Sequence, residues 1–222
     1  LYMIAKNFNF FFVEHKKNIG GRYSVLSEVG IVPAYLMGLN ISKLRSNTHD
    51  YLIKRKKLFL KESVIKLANL LKQNKIQNLI FLNYAPELKK FLFWCQQLIA
   101  ESLGKKEKGF LPVISTAPKD HHSLLQLYMD GPKNKLIHIF SIEREMSKKI
   151  KINNFLKKNH FLNKKSLADV KKAQKNALIK ILKNKKIPYR EFKLKNLNEE
   201  VLGELFSYFI LETVLIGKLV NI

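Results

Sequence analysis

The amino-acid sequence predicts an α/β fold: a mostly parallel sheet with helices crossing between its strands. Three observations predict it. Short β-rich runs alternate with longer helical patterns, the order that parallel strands joined by crossover helices require. Several of the short runs are wholly apolar, as strands buried on both faces are. A chain of 222 residues, 46% of them hydrophobic, is also long enough to bury roughly 70% of its unfolded surface without disulfides or a structural metal.

Strands are expected at 10–14, 76–83, 111–115, 136–142 and 188–194, each short and rich in branched or aromatic residues. Helices are expected at 31–38, 42–73, 86–103, 121–129, 164–183 and 196–220. Pro86 stands where a first-turn proline belongs, and Gly104 follows the 86–103 pattern as a terminating glycine does. Asp120 is placed to cap the helix over 121–129. The apolar stretch over 202–222 is interrupted by Glu204, Glu212 and Lys218, so it predicts a buried or interface helix and not a membrane span. Neither an internal repeat nor a Gly/Ser linker divides the chain. The expectation is one domain over 1–222, with a glycine-bearing approach over 1–40 and an α/β body over 41–222.

The formal net charge is +24, yet only five of the 41 basic residues are arginines: Arg22, Arg45, Arg55, Arg144 and Arg190. Base readout and bidentate phosphate clamps favour Arg, and the lysines are scattered along the chain. The lysine-rich stretches 54–57 and 183–186 therefore read as solvated surface, and neither nucleic acid nor membrane is expected as a partner. The single Cys95 can form neither an internal disulfide nor a cysteine zinc cluster, which suits a reducing cytoplasm. In the first 17 residues the basic side chains follow the apolar ones and no small-residue cleavage site appears, so they do not form a signal peptide.

Three places can carry chemistry. Gly20-Gly21-Arg22 follows the first expected strand, where glycines let a ligand approach the backbone and an arginine fork meets a negative oxygen. It is neither a GxxxxGK phosphate loop nor a GxGxxG fingerprint. Gln97 and Glu101, four apart, share one helical face near a C-terminal end, where the helix dipole favours a carboxyl that carries a proton. Asp120-His121-His122 opens a helix, where a histidine tends to stay neutral and can pass protons. Adjacent histidines diverge on a helix, so the pair is a poor metal site, and no third ligand is evident. Each place also has a purely structural account: a tight turn, a solvated helix face, and polar residues at a helix start.

In combination the motifs say more. GGRYSVLSEVG at 20–30, QQLIAESLGK at 96–105, PKDHHSLLQLYMDGP at 118–132 and GELFSYFILETVLIGKLVNI at 203–222 resemble the glucose-6-phosphate isomerases, in order and over essentially the whole chain. The resemblance implies a sugar-isomerase (SIS) type three-layer sandwich, and an aldose–ketose isomerase of glycolysis and gluconeogenesis that interconverts glucose 6-phosphate and fructose 6-phosphate. It implies a homodimer whose active site is shared between subunits. By position it makes Glu101 the catalytic base, Gln97 a substrate contact, His122 the ring-opening histidine supplied by the neighbouring subunit, and Arg22 with Gly21 the group facing the intermediate. His121 and Lys17 depart from the family pattern. The family's phosphate loop would precede Leu1 and its ring-opening lysine would follow Ile222, so the chain is expected to be truncated at both ends and barely active alone. The alternatives are a non-catalytic phosphosugar-binding module of the same type and, on charge alone, a nucleic-acid-binding protein.

Overall fold

The computed structural model describes residues 1–53, 56–143, 147, 149 and 162–222. In chain order the elements are α1 (Tyr2–Asn7), α2 (Glu28–Leu36), α3 (Ile41–Arg45), α4 (Asp50–Ile53), α5 (Lys56–Gln73), β1 (Asn78–Asn83), α6 (Lys89–Leu103), β2 (Leu111–Thr116), α7 (Lys119–Ser123), α8 (Leu125–Asp130), β3 (Lys135–Ile142), α9 (Leu167–Asn184), β4 (Tyr189–Leu194) and α10 (Glu199–Leu219). They divide into two compact units. The first comprises Leu1–Val64 with Asn198–Leu215, the second Ile65–Leu197 with Ile216–Ile222.

The second unit holds the sheet. Its four strands are ordered β2-β1-β3-β4 and every pairing is parallel. β1 and β3 occupy the centre and are buried almost throughout, whereas the edge strands β2 and β4 are only partly so. This is why the apolar runs of β1 and β3 stand out in the sequence and the mixed run of β4 does not. Ile80, Leu82, Ile137 and Ile139 point to one face, where Tyr128 of α8 and Leu178 and Leu182 of α9 cover them. Right-handed crossovers leaving the centre in opposite directions put α6 on the other face. Phe81, His138, Phe140 and Phe192 form a ring cluster on the sheet, with Phe140 and Phe192 stacked at 4.6 Å. The predicted α/β sandwich is therefore present, with four of the five expected strands.

The fifth is not a strand. Residues 10–14 are irregular, and Phe10 and Phe11 are exposed. Their aromatic run suggested a strand, but none of the described strands pairs with it, and without a ladder β-propensity has nothing to stabilise. The helix expected over 42–73 is interrupted over 46–49, after α3; α4 and α5 follow, with positions 54 and 55 of that stretch, and of the lysine-rich 54–57, outside the described residues. The Ser46 and Thr48 hydroxyls donate to the Lys43 and Arg45 carbonyls, ending α3 with the local bonds these residues prefer to a helix interior. The helix expected over 121–129 is likewise two, α7 and α8, meeting at Leu124.

In the first unit, Glu204 accepts from the Tyr51 hydroxyl at 2.8 Å and pairs with Lys56 at 2.8 Å. The carboxylate of Glu212, buried in α10, accepts from Ser63 at 2.6 Å and from Tyr208 at 2.5 Å, so a group that would be costly alone is satisfied on two sides. Gly203 is required there by space: a Cβ would stand 1.7 Å from the Leu44 carbonyl oxygen.

Two predictions follow from this packing. Gly203→Ala should lower the unfolding free energy by roughly 3 kcal/mol through overpacking against backbone, read from the urea midpoint. Gly217→Ala, whose Cβ would meet Leu103 at an ordinary 3.7 Å, should leave that midpoint unchanged or raise it. His138, wholly buried and facing the Arg190 guanidinium, has its imidazole held well below the usual histidine range by desolvation first and by that charge second. Its neutral form then stabilises the fold above the unfolded histidine value, and stability falls by up to about 1.4 kcal/mol for each pH unit below roughly 6.5. His138→Leu should flatten that decline in urea midpoints measured from pH 7.5 to 5.

Candidate active site

Gln97 and Glu101 lie one turn apart on α6, and the Gln97 amide Nε2 donates to Glu101 Oε1 at 2.8 Å. The shared face read from their spacing is present, with Glu101 exposed to solvent. α6 is held to the sheet by Gln96, whose side-chain nitrogen donates to the Pro112 carbonyl at 2.8 Å, and by the buried Leu92, Cys95 and Leu98. Cys95 is thus a packing residue. Because α6 leaves the carboxyl end of β1 and returns to the start of β2, Glu101 near its C-terminus stands at the amino edge of the sheet.

His122 stands at the opposite edge, since α7 follows the carboxyl end of β2. The two edges are separated by the length of α6, roughly 20 Å at 1.5 Å per residue. The structure therefore does not bring Glu101 and His122 of one chain together. His122 is exposed, on a helix fixed by its two preceding neighbours. Asp120 does not cap α7 as expected, because Pro118 holds the N-cap position. Its carboxylate reaches back instead, accepting from the Thr116 backbone N–H at 2.7 Å and the Ser115 hydroxyl at 3.1 Å. A 2.8 Å hydrogen bond joins His121 Nε2 to the Tyr84 hydroxyl, with the two rings edge to face. Burial holds the His121 imidazole below the usual histidine range, partly offset by Asp120, and pushes the Tyr84 phenol up. Sequence reasoning did not find this pair: 37 positions separate its members, and no local pattern links them.

Gly21 and Arg22 belong to the first unit, at the start of a 3-10 turn, Gly21–Leu26. The Ser24 hydroxyl donates to the Gly21 carbonyl at 2.7 Å, and the Arg22 guanidinium lies 5.0 Å from the centre of the Tyr23 ring. A Cβ added at Gly21 would meet no atom within 4 Å, so packing inside the described chain does not demand glycine there. Among the described residues no group of three or more His, Cys, Asp or Glu could hold a metal ion. No described helix is long and apolar enough to cross a membrane.

No family model matches the chain. Individual proteins do. The glucose-6-phosphate isomerase of Methanocaldococcus jannaschii is 32% identical over 218 residues, which is 93% of this chain and 52% of that protein. The isomerase of Campylobacter jejuni is 32% identical over 214 residues, and a probable isomerase of Methanococcus maripaludis 31% over 226, the whole of this chain and 51% of the relative. The chain is thus similar to glucose-6-phosphate isomerases along nearly all of its own length. It spans about half the length of the curated relatives it matches. Solved structures agree on the fold. A glucose-6-phosphate isomerase from Chlamydia trachomatis superposes with a TM-score of 0.69 at 16% identity, covering 94% of this chain and 44% of that one. A hypothetical protein from Thermus thermophilus reaches 0.85 at 24% identity, covering 99% and 55%.

For a glucose-6-phosphate isomerase relative, the turn that presents His122 is the part of this geometry most open to test. Asp120→Ala should cost about 1–2 kcal/mol by removing the acceptor of the Thr116 N–H. Asp120→Asn, which keeps one acceptor oxygen, should recover at least half of that loss in the same urea titration.

Proposed function

We propose that this chain is the base-bearing half of an enzyme that interconverts glucose 6-phosphate and fructose 6-phosphate through an enediolate. The observation that carries the proposal is sequence identity above 30% to curated glucose-6-phosphate isomerases over nearly the whole chain, motifs included. The residue chemistry supports it. Isomerisation needs one base to take a proton from carbon 2, beside a carbonyl, and return it to carbon 1. Glu101 is a carboxylate exposed enough to meet a sugar and oriented by Gln97. Arg22 offers a fixed positive fork to the enediolate oxygen, and the open space at Gly21 lets the substrate approach the backbone.

His122 then opens the sugar ring in a different copy of the chain. The opposite-edge positions of Glu101 and His122 support that reading, because one sugar phosphate cannot touch both in a single chain. The enzyme is accordingly a cytoplasmic homodimer, using neither metal nor cofactor. Exposed Leu1, Met3 and Phe11 fit a surface covered by the rest of the enzyme. Binding of the substrate phosphate falls to the half of the relatives' length that this chain does not span, so the 222 residues alone should turn over little.

A coupled assay of fructose 6-phosphate conversion tests this, run on the chain alone and on the chain joined to the N-terminal half and the C-terminal tail of a relative. Only the joined form should be active, and Glu101→Gln should abolish its activity. In that form Arg22→Ala should lower kcat by about a hundredfold with a smaller change in KM. Saturable sugar-phosphate binding with no turnover would replace the enzyme by a non-catalytic phosphosugar-binding module.

A further inference from the structure

A second recess lies in the sheet unit, away from Glu101. In the order β2-β1-β3-β4 the connection from β1 runs outward to β2 and that from β3 outward to β4. The sheet therefore has a topological switch point between β1 and β3, where open α/β sheets leave a crevice beyond the carboxyl ends of their strands. A cavity of about 190 Å³ occupies that place, several times the ~30 Å³ share of one water. It is lined by Tyr84 just past β1, Ser141 at the end of β3, Lys193 in β4, and Lys171, Lys172 and Lys175 in the first turns of α9.

The described carboxylates in and beside the cavity are already engaged. Glu191 accepts from Lys175 at 2.6 Å, Glu143 from Lys193 at 2.6 Å, and Asp169 from the Ser166 backbone N–H and hydroxyl at 2.8 Å each. Lys171 donates to a neutral acceptor, the Tyr84 carbonyl, at 3.2 Å. Lys172 is exposed at the rim, and its charge helps to hold both Glu143 and Asp169 below the usual carboxylate range. Ser141 supplies an independent observation. Its Oγ accepts from the buried Lys175 ammonium at 3.0 Å, and among the described residues its own hydroxyl proton has no acceptor. Ser141 is only 6% exposed, so bulk water does not supply one freely. A buried hydroxyl donor and lysine ammonium groups thus converge on a recess where, among the described acids, Glu191 and Glu143 are ion-paired and Asp169 is hydrogen-bonded to Ser166.

We propose that this recess is a binding site for a small oxyanion, a phosphate or phosphate-bearing metabolite, separate from the site at Glu101. The Ser141 hydroxyl donates to one anion oxygen, and Lys171 and Lys172 supply the opposing charge. The proposal does not depend on the isomerase reading.

Inorganic phosphate is the probe. It is titrated into the isotopically labelled 222-residue chain at constant ionic strength, with chloride as the comparison, because a protein of charge +24 attracts any anion weakly. Backbone amide shifts at Ser141, Lys171 and Lys172 should saturate together with one millimolar or tighter Kd, at least tenfold tighter than chloride. Ser141→Ala should weaken binding about tenfold and Lys172→Gln at least threefold, whereas Lys180→Gln, which removes an exposed charge elsewhere on α9, should leave it unchanged. Lys172→Gln alters only a rim side chain, so its result stands even if Ser141→Ala destabilises the sheet. Linear, non-saturating shifts, equal affinity for chloride, equal losses in Lys172→Gln and Lys180→Gln, or shifts centred on Glu101 or His122 would each overturn the proposal. Activity of the joined enzyme with Glu101 intact is read separately, so failure of this site leaves the isomerase reading standing.

Discussion

β1 and β3 are hydrogen-bonded to strands on both sides and buried on both faces, and they feed their crossovers in opposite directions. That arrangement allows one layout. Parallel neighbours need long right-handed connections, so α6 must cover one face and α8 and α9 the other. The same constraint returns α6 to the amino edge with Glu101 near its end, leaves α7 with His122 at the carboxyl edge, and opens the recess beside Ser141. The distance between Glu101 and His122 is therefore a property of the topology and not of any side chain, and it is what makes a second copy necessary for the proposed chemistry.

The large positive charge does not organise this structure. Most lysines are solvated, and the two buried ones among the described residues are hydrogen-bonded: Lys175 is held by Glu191 and Ser141, and Lys135 donates to the Pro132 carbonyl. The buried acid Glu212 is satisfied by hydroxyl groups from Ser63 and Tyr208. These are local solutions to desolvation, and Lys175 and Glu212 each have at least one partner on another element. His138 departs from this, with neither ring nitrogen hydrogen-bonded in its wholly buried position. It stays neutral because nothing there would support its charge.

Much of the candidate site was legible because its logic is local. Gln97 and Glu101 meet because four residues make about one helical turn, and that contact forms wherever α6 lies. Asp120 was the harder case. A helix start with an acidic residue suggests a cap, but Pro118 holds the cap position, and the Asp120 carboxylate serves the strand behind it. The Tyr84–His121 bond and the Lys175–Glu191 pair were not legible, since each joins elements whose adjacency is decided by strand order.

The sequence by itself determined the class of fold, four of the strands and the likeness to glucose-6-phosphate isomerases, because hydrophobic runs, helical spacing and motif order are one-dimensional signals. It overstated β structure at 10–14 and helix length over 42–73, where propensity had no partner to confirm it or local hydroxyl bonds cut across it. Tertiary structure alone decided which residues face one another: the separation of Glu101 from His122, the fit of Gly203 against Leu44, and the convergence of Ser141 with three lysines of α9. Those depend on strand order and crossover hand, which are set by burial of the whole sheet and leave no mark at any single position.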